Sequence, residues 1–259
     1  MKYLFFILYL IPFISIAQVR LDPEGVNNDL KGIIYKKEYS VEFKLHTFGM
    51  SAGFNMGRLS TYYKTSFYHF DIGFLKSAKE KKGNLIATGL NIYNTYIYGK
   101  ANYFFPVRAG KGIKVYLSEK ESQRGLAIGY SLEGGFTLGV LKPYYLWVKS
   151  TNSDNEAILV LKKYDEDNKE DFINENLIYD KAPFFTGIGE SRFVPGIHFN
   201  AAVHYGIKAF EKSVYAFETG IMLDAFMKKV PIMVETDRFK NSSIFINVFV
   251  NVQFGRRWN

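Results

Sequence analysis

The sequence predicts an all-β fold, an antiparallel transmembrane β-barrel of ten strands with eight or twelve as alternatives, and three observations lead there. Its C-terminal part alternates apolar and polar residues with a period of two, which only a strand sorts onto two faces. After the first residues no apolar run is long enough for a membrane helix, so a spanning version of this chain must close as a barrel. The composition of 19 Tyr, 24 Phe and 22 Gly suits pleated surfaces and tight turns.

The elements follow in order. Met1 and Lys2 precede an apolar run from Tyr3 to Ile16, and Ser15-Ile16-Ala17-Gln18 places small residues three positions and one position before a cut. That pattern predicts a cleaved signal peptide over 1–17, since the run is too short for an anchor and contains Pro12. Removing it takes away only Lys2 among charged residues, so the net charge falls from +8 to +7. Residues 18–36, with Pro23 and Gly25, lack periodicity and read as a periplasmic lead-in to a barrel over 37–259. The chain has no cysteine, which excludes disulfides, thiolate metal sites, cysteine nucleophiles and a lipid-modified cysteine at the cut.

The first two predicted strands set Tyr39, Val41, Phe43 and Leu45 against Ser40, Glu42, Lys44 and His46, then Met50 to Met56 against Ser51 to Gly57. Tyr62 to Ile72, Gly99 to Ala109, Ile113 to Ser118, Gly125 to Leu132 and Gly135 to Val148 supply five more, with Gly110-Lys111-Gly112 read as a turn. Ile197 to Lys208, Tyr215 to Asp224 and Ile244 to Phe254 complete the set. An outward first strand then puts the long segments 75–97, 149–193 and 228–241 on the outer side and the connections 57–60, 109–112, 133–135 and 209–213 on the periplasmic side. Segment 149–193, acidic at Asp154, Glu156, Asp165, Glu166, Asp167, Glu170 and Asp171 with Leu159 to Leu161 embedded in it, reads as a surface loop, with a short hairpin of its own as an alternative.

A soluble sandwich would also alternate, so the character of the polar face decides. In the last strand that face is Phe245, Asn247, Phe249, Asn251 and Gln253, a poor solvated exterior but a suitable filling for a lumen. The opposite face is unbroken apolar, and Tyr and Phe gather near strand ends as interfacial girdles do.

Few residues point to chemistry. His46, His198 and His204 face the predicted lumen with Glu42, Lys44, Lys64, Lys100, Arg108, Lys208, Glu218 and Asp224, a mixture of signs that fills a narrow barrel with paired charge. His69 and Asp71, two apart near the outer end of the third strand, are the weak candidates for catalysis; no spacing supplies them with a nucleophile or second acid. Arg256-Arg257 suits either anionic lipid or a solvated terminus. No metal-ligand cluster, cofactor motif or nucleic-acid motif stands out.

The stretches Phe43-Lys44-Leu45-His46-Thr47, Tyr62-Tyr63-Lys64-Thr65 and Phe67-Tyr68-His69-Phe70-Asp71-Ile72-Gly73, continued by Tyr98-Gly99-Lys100 and Leu141-Lys142-Pro143-Tyr144-Tyr145, resemble a family of uncharacterised outer-membrane barrel proteins of Bacteroidota. The resemblance covers most of 30–148 and implies location and barrel form, with no catalytic residues to carry over. Where that family tends to have His-Pro after Ile72-Gly73, this chain has Ser77-Ala78, which speaks against a metal or acid-base role for the loop. The expectation is a porin-like, non-enzymatic outer-membrane barrel without cofactor, serving as a structural or accessory subunit of a protein assembly or secretion machine. Its partners would be outer-membrane lipid and other outer-membrane or periplasmic proteins, not nucleic acid. The alternatives are a hydrolase acting at the outer rim and a small-solute channel or binder.

Overall fold

A computed structural model describes residues 35–86, 93–117, 126–151, 156–207, 211–236 and 239–259, with side chains left aside over 82–95. The predicted signal peptide, most of the lead-in and Lys208 lie outside the described residues.

Eight antiparallel strands close into a barrel. In chain order they are β1 (Lys37–His46), β2 (Gly49–Leu59), β3 (Lys64–Leu75), β6 (Asn102–Tyr116), β7 (Ala127–Pro143), β11 (Arg192–Gly206), β12 (Ser213–Phe226) and β13 (Ile244–Trp258). Around the wall the order is β1-β13-β12-β11-β7-β6-β3-β2, with β1 against β13 sealing the ring. The remaining strands, β4 (Lys81–Ile86), β5 (Tyr93–Tyr98), β8 (Tyr145–Thr151), β9 (Ala157–Lys163) and β10 (Ile178–Lys181), form a hairpin and a three-stranded sheet.

The strand number is therefore eight, not ten. Ala109 and Ile113, predicted to end one strand and begin another, belong to a single β6, and the two predicted strands on either side of Glu133-Gly134 are a single β7. Gly110-Lys111-Gly112 and Glu133-Gly134-Gly135 are not turns. They face each other in the ladder, Gly110 beside Gly135 and Lys111 beside Gly134. A Cβ on Gly110 would overlap the Gly134 carbonyl, and one on Gly135 the Ala109 carbonyl, so close backbone approach between the two strands is the reason for glycine. Because two predicted strands vanish together, the parity of the remainder is unchanged. The connections 76–101, 144–191 and 227–243 share one end of the barrel, here called the loop end. The connections at 60–63, 117–126 and 207–212 share the other, basal end with Lys37 and Trp258.

The alternation sorts the wall cleanly. Every second side chain of β1, and Asn247, Phe249, Asn251, Gln253 and Arg257 of β13, are buried inside, while Val41, Leu45, Ile246, Val248 and Val250 point outward and are exposed. The inside is polar in the middle and apolar at the loop end. There Leu75, Phe104, Leu141, Val194 and Phe226 converge from five strands, and Val230, Ile232 and Met233 of the β12–β13 connection pack down on them. Backbone bonds from Ala101 and Asn102 to the Ile232 carbonyl, and from Val234 to the Gly99 carbonyl, fix that connection across the opening. The loop end is thus closed by an apolar plug.

Segment 149–193 is folded beyond a simple loop. β8 pairs with β9 on one side and β10 on the other, and a one-turn helix, Lys169–Ile173, follows a turn capped by Asp165. Tyr144, Leu146, Val148, Phe172 and Ile178 join Tyr96, Ala101 and Val234 in a second apolar cluster, which gives this layer its own core.

Candidate functional site

The lumen below the plug carries the residues with chemical capacity. Just beneath it Arg108 of β6 donates from Nε and Nη2 to the two carboxylate oxygens of Asp224 on β12, at 2.7 and 2.9 Å, and from Nη1 to Asp71 of β3 at 2.8 Å. All three side chains are at most 1% exposed. The fork geometry of guanidinium matches the Asp224 carboxylate in a way that a lysine could not.

At the same depth His198 meets Thr137 through Nδ1 at 2.9 Å and His69 through Nε2, the two Nε2 atoms being 2.7 Å apart. One of those nitrogens must carry the shared proton. Deeper, Lys44 lies 2.7 Å from Glu42 and 3.2 Å from Glu133, while Asn55, Asn251 and Gln253 donate to Glu42 and Asn200 donates to Glu133. Glu218 accepts from Asn251 and pairs with His204, whose other nitrogen meets the Tyr116 hydroxyl at 3.0 Å. Nearest the basal end, Glu38 is shared by Arg257 at 2.7 Å and Lys114 at 3.5 Å.

Of the residues predicted for the lumen, Glu42, Lys44, His46, Arg108, His198, His204, Glu218 and Asp224 all lie inside. Lys64 does not. It shares the parity of Ser66, Tyr68 and Phe70, which puts it on the outer face of β3 and exposes it. Lys100 is fully buried but precedes β6, in the loop layer, where it pairs with Glu80 at 2.7 Å and sits over the Tyr103 ring. Burial there holds its ammonium below the usual lysine range, with Glu80 opposing the shift.

His69 and Asp71 share the inner face, as their spacing requires, but in mid-wall, each bonded to a different partner, His198 and Arg108. The charged interior members among the described residues that the sequence reading missed are Glu38, Lys114, Glu133 and Arg257. Arg257 was read as a terminal charge for lipid or solvent, yet it is buried against Glu38. Glu133 lies within, and Lys114 two positions beyond, the glycine-rich triplets taken for turns; parity carried through those triplets would have found both.

Glu42, Glu133 and Glu218 bring carboxylate oxygens within 4.8 Å of one another, the one cluster of metal-ligand type among the described residues. Lys44 and four amide side chains, Asn55, Asn200, Asn251 and Gln253, already engage it. Thr137, His198 and His69 form a hydroxyl–imidazole chain, but Thr137 is buried under the plug, with no approach for a substrate carbonyl. The arrangement sets each interior lysine and arginine against carboxylates and fills the lumen with hydrogen bonds to which all eight strands contribute.

No family model and no curated protein matches the chain. Among solved structures it is similar to the N-terminal β-barrel domain of Pseudomonas aeruginosa OprF, at 9% identity and a TM-score of 0.32, over 85% of this chain and 97% of that one.

Proposed function

We propose that the chain spans a bacterial outer membrane as a closed, non-conducting, non-enzymatic barrel and serves as a structural or accessory subunit of an outer-membrane protein assembly. The carrying observation is the inversion of the wall. Charged and amide side chains are buried inside, and the outward side chains between the strand ends are apolar apart from Lys111 and a few small or hydroxyl groups. Water is a poor solvent for such an exterior and hydrocarbon a good one.

The role follows from what is left available. The plug weighs against a solute path, and the partners of His69 and Asp71 weigh against a hydrolase. What remains is the outer wall and the folded layer at the loop end, whose own core makes it a rigid platform for another protein.

Two measurements test this reading. Alkaline carbonate should leave the protein in the membrane fraction, and the folded form should run apart from the boiled form on a gel. Since the chain is cysteine-free, Tyr179→Cys in the loop layer should react with an impermeant maleimide on intact cells, and Lys212→Cys only after lysis. Extraction by carbonate would overturn the membrane reading, and the reverse labelling would invert the topology. Purification in mild detergent should bring a stoichiometric protein partner, and a clean monomer would count against the accessory role.

A further inference from the structure

Lys111 is the anomaly of the outer wall. It sits within β6, five positions from the strand's basal end at Tyr116, and points outward among apolar neighbours. At about 3.3 Å per residue and a tilt of about 40°, that is roughly 12 Å of height. Its ammonium lies over the Tyr68 ring, 5.0 Å from the centroid, and it makes no ion pair among the described residues. A cation so placed in a hydrocarbon-facing wall is unfavourable unless an anion reaches it.

The wall around it is hollowed. Lys111 neighbours Gly134 on β7, and Gly134 neighbours Phe199 on β11. Gly134 faces outward and leaves room for a side chain, the nearest atoms to a Cβ there being at ordinary contact distances of 3.5 and 3.8 Å. A groove of about 780 Å³ results, lined by Ile113, Leu132 and Phe199 and reaching Lys37 and Arg58, which face each other across β1 and β2 beside Trp258. Lys37 and Arg58 are exposed and likewise make no ion pair among the described residues. Its volume falls in the range of about 300–1,000 Å³ typical of small-molecule sites.

We infer that this groove is a binding site for one anionic phospholipid, its phosphate held by Lys111, Lys37 and Arg58 and an acyl chain lying over Gly134 along Ile113, Leu132 and Phe199. The inference rests on the membrane reading above and adds to it a lipid class and a place. Charge complementarity selects the occupant: three unpaired cations at one end of an apolar trough match a phosphodiester joined to a hydrocarbon chain. A protein strand or helix would need its own acidic residues within the bilayer, where they are disfavoured. The cations cluster toward the basal end, so the lipid belongs to the leaflet on that side.

The test uses the full-length protein in mild detergent, stripped of lipid by exchange, with dioleoyl phosphatidylglycerol or dioleoyl phosphatidylcholine added and binding read by native mass spectrometry. One phosphatidylglycerol should bind at least about tenfold more tightly than phosphatidylcholine, as expected for several basic groups acting on one anionic lipid. Lys111→Gln should remove most of that preference while leaving phosphatidylcholine binding alone, and Gly134→Leu, which fills the trough without touching charge, should weaken both lipids. Lys142→Gln, at the far end of β7, should change neither. Equal affinity of the parent protein for the two lipids would overturn the inference, as would a preference that survives loss of all three cations, or a lipid-free dimer burying this face. A protein that resists carbonate and shifts on heating but shows no preference sinks the lipid site alone; a protein that carbonate extracts sinks the membrane reading itself.

Discussion

Replacing Arg108 by Met tests the filled lumen most directly. Methionine keeps much of the volume and removes the charge, leaving Asp71 and Asp224 inside with no cation on them and three short charge-assisted bonds lost. Removing one partner of a buried pair costs about 3–5 kcal/mol, because the penalty falls on the carboxylates left behind. With a denaturant dependence of about 2 kcal/mol per molar urea, the unfolding midpoint should fall by roughly 2 M. Trp147 and Trp258 report the transition by fluorescence in detergent or vesicles. Adding Asp71→Asn and Asp224→Asn to Arg108→Met should recover much of the loss, since the stranded charges are then gone. A single-variant loss below about 1 kcal/mol, the scale of an exposed pair, would refute the reasoning and mean that water reaches the site.

Other outcomes follow from the same geometry. Val250→Arg, on the outer face, should block insertion or cost about 2–4 kcal/mol if it lies near mid-bilayer, read as loss of the heat-shifted band. Asn251→Ala, one position along, should insert normally yet lower the urea midpoint by the equivalent of about 1–3 kcal/mol, because Glu42 and Glu218 both lose a donor. Gly110→Ala should cost about 1–3 kcal/mol or prevent folding through overlap with the Gly134 carbonyl, whereas Gly134→Ala should fold normally; equal behaviour in a gel-shift assay would disprove the close approach at Gly110. His69→Gln should cost about 1 kcal/mol and still complement a deletion strain, and a folded but inactive variant would return His69 to the catalytic candidates.

How much of this was legible in the sequence depends on which contacts set each feature. β11, β12 and β13 could be read because their alternation is unbroken, and parity alone put Asn247, Asn251 and Gln253 inside. β6 and β7 were not legible as single strands, because clustered glycines such as Gly110 with Gly112 and Gly134 with Gly135 also mark turns. Only the pairing of Gly110 with Gly135, across the two strands, distinguishes a continuous strand from a turn. Which carboxylate most interior cations choose was equally hidden: Arg108 takes Asp224, 116 positions away, and Arg257 takes Glu38, 219 positions away, whereas the contact of Lys44 with Glu42 follows from their shared face of β1. The error at Lys64 was one of parity, since Thr65, Phe67 and His69 are the inward residues of β3.

The unequal strand lengths bear on how a neighbour could come near. β1 has 10 residues, about the 9–11 that cross the hydrocarbon, whereas the fused β7 has 17 and, at a tilt of about 40°, stands about 43 Å tall. On the low side β1 turns into β2 at Thr47-Phe48, and β13 continues past the end of β1 to Ile244. In the proposed membrane setting the rim is therefore a scarp, high along β7 and level with the headgroups at Thr47-Phe48. Phe48, part of the plug's margin, sits at that low lip. A molecule arriving from solution meets the tall wall and the loop layer, but one already moving within the bilayer reaches Phe48 sideways. Traffic to the sealed mouth would then be two-dimensional, confined to companions that share the membrane.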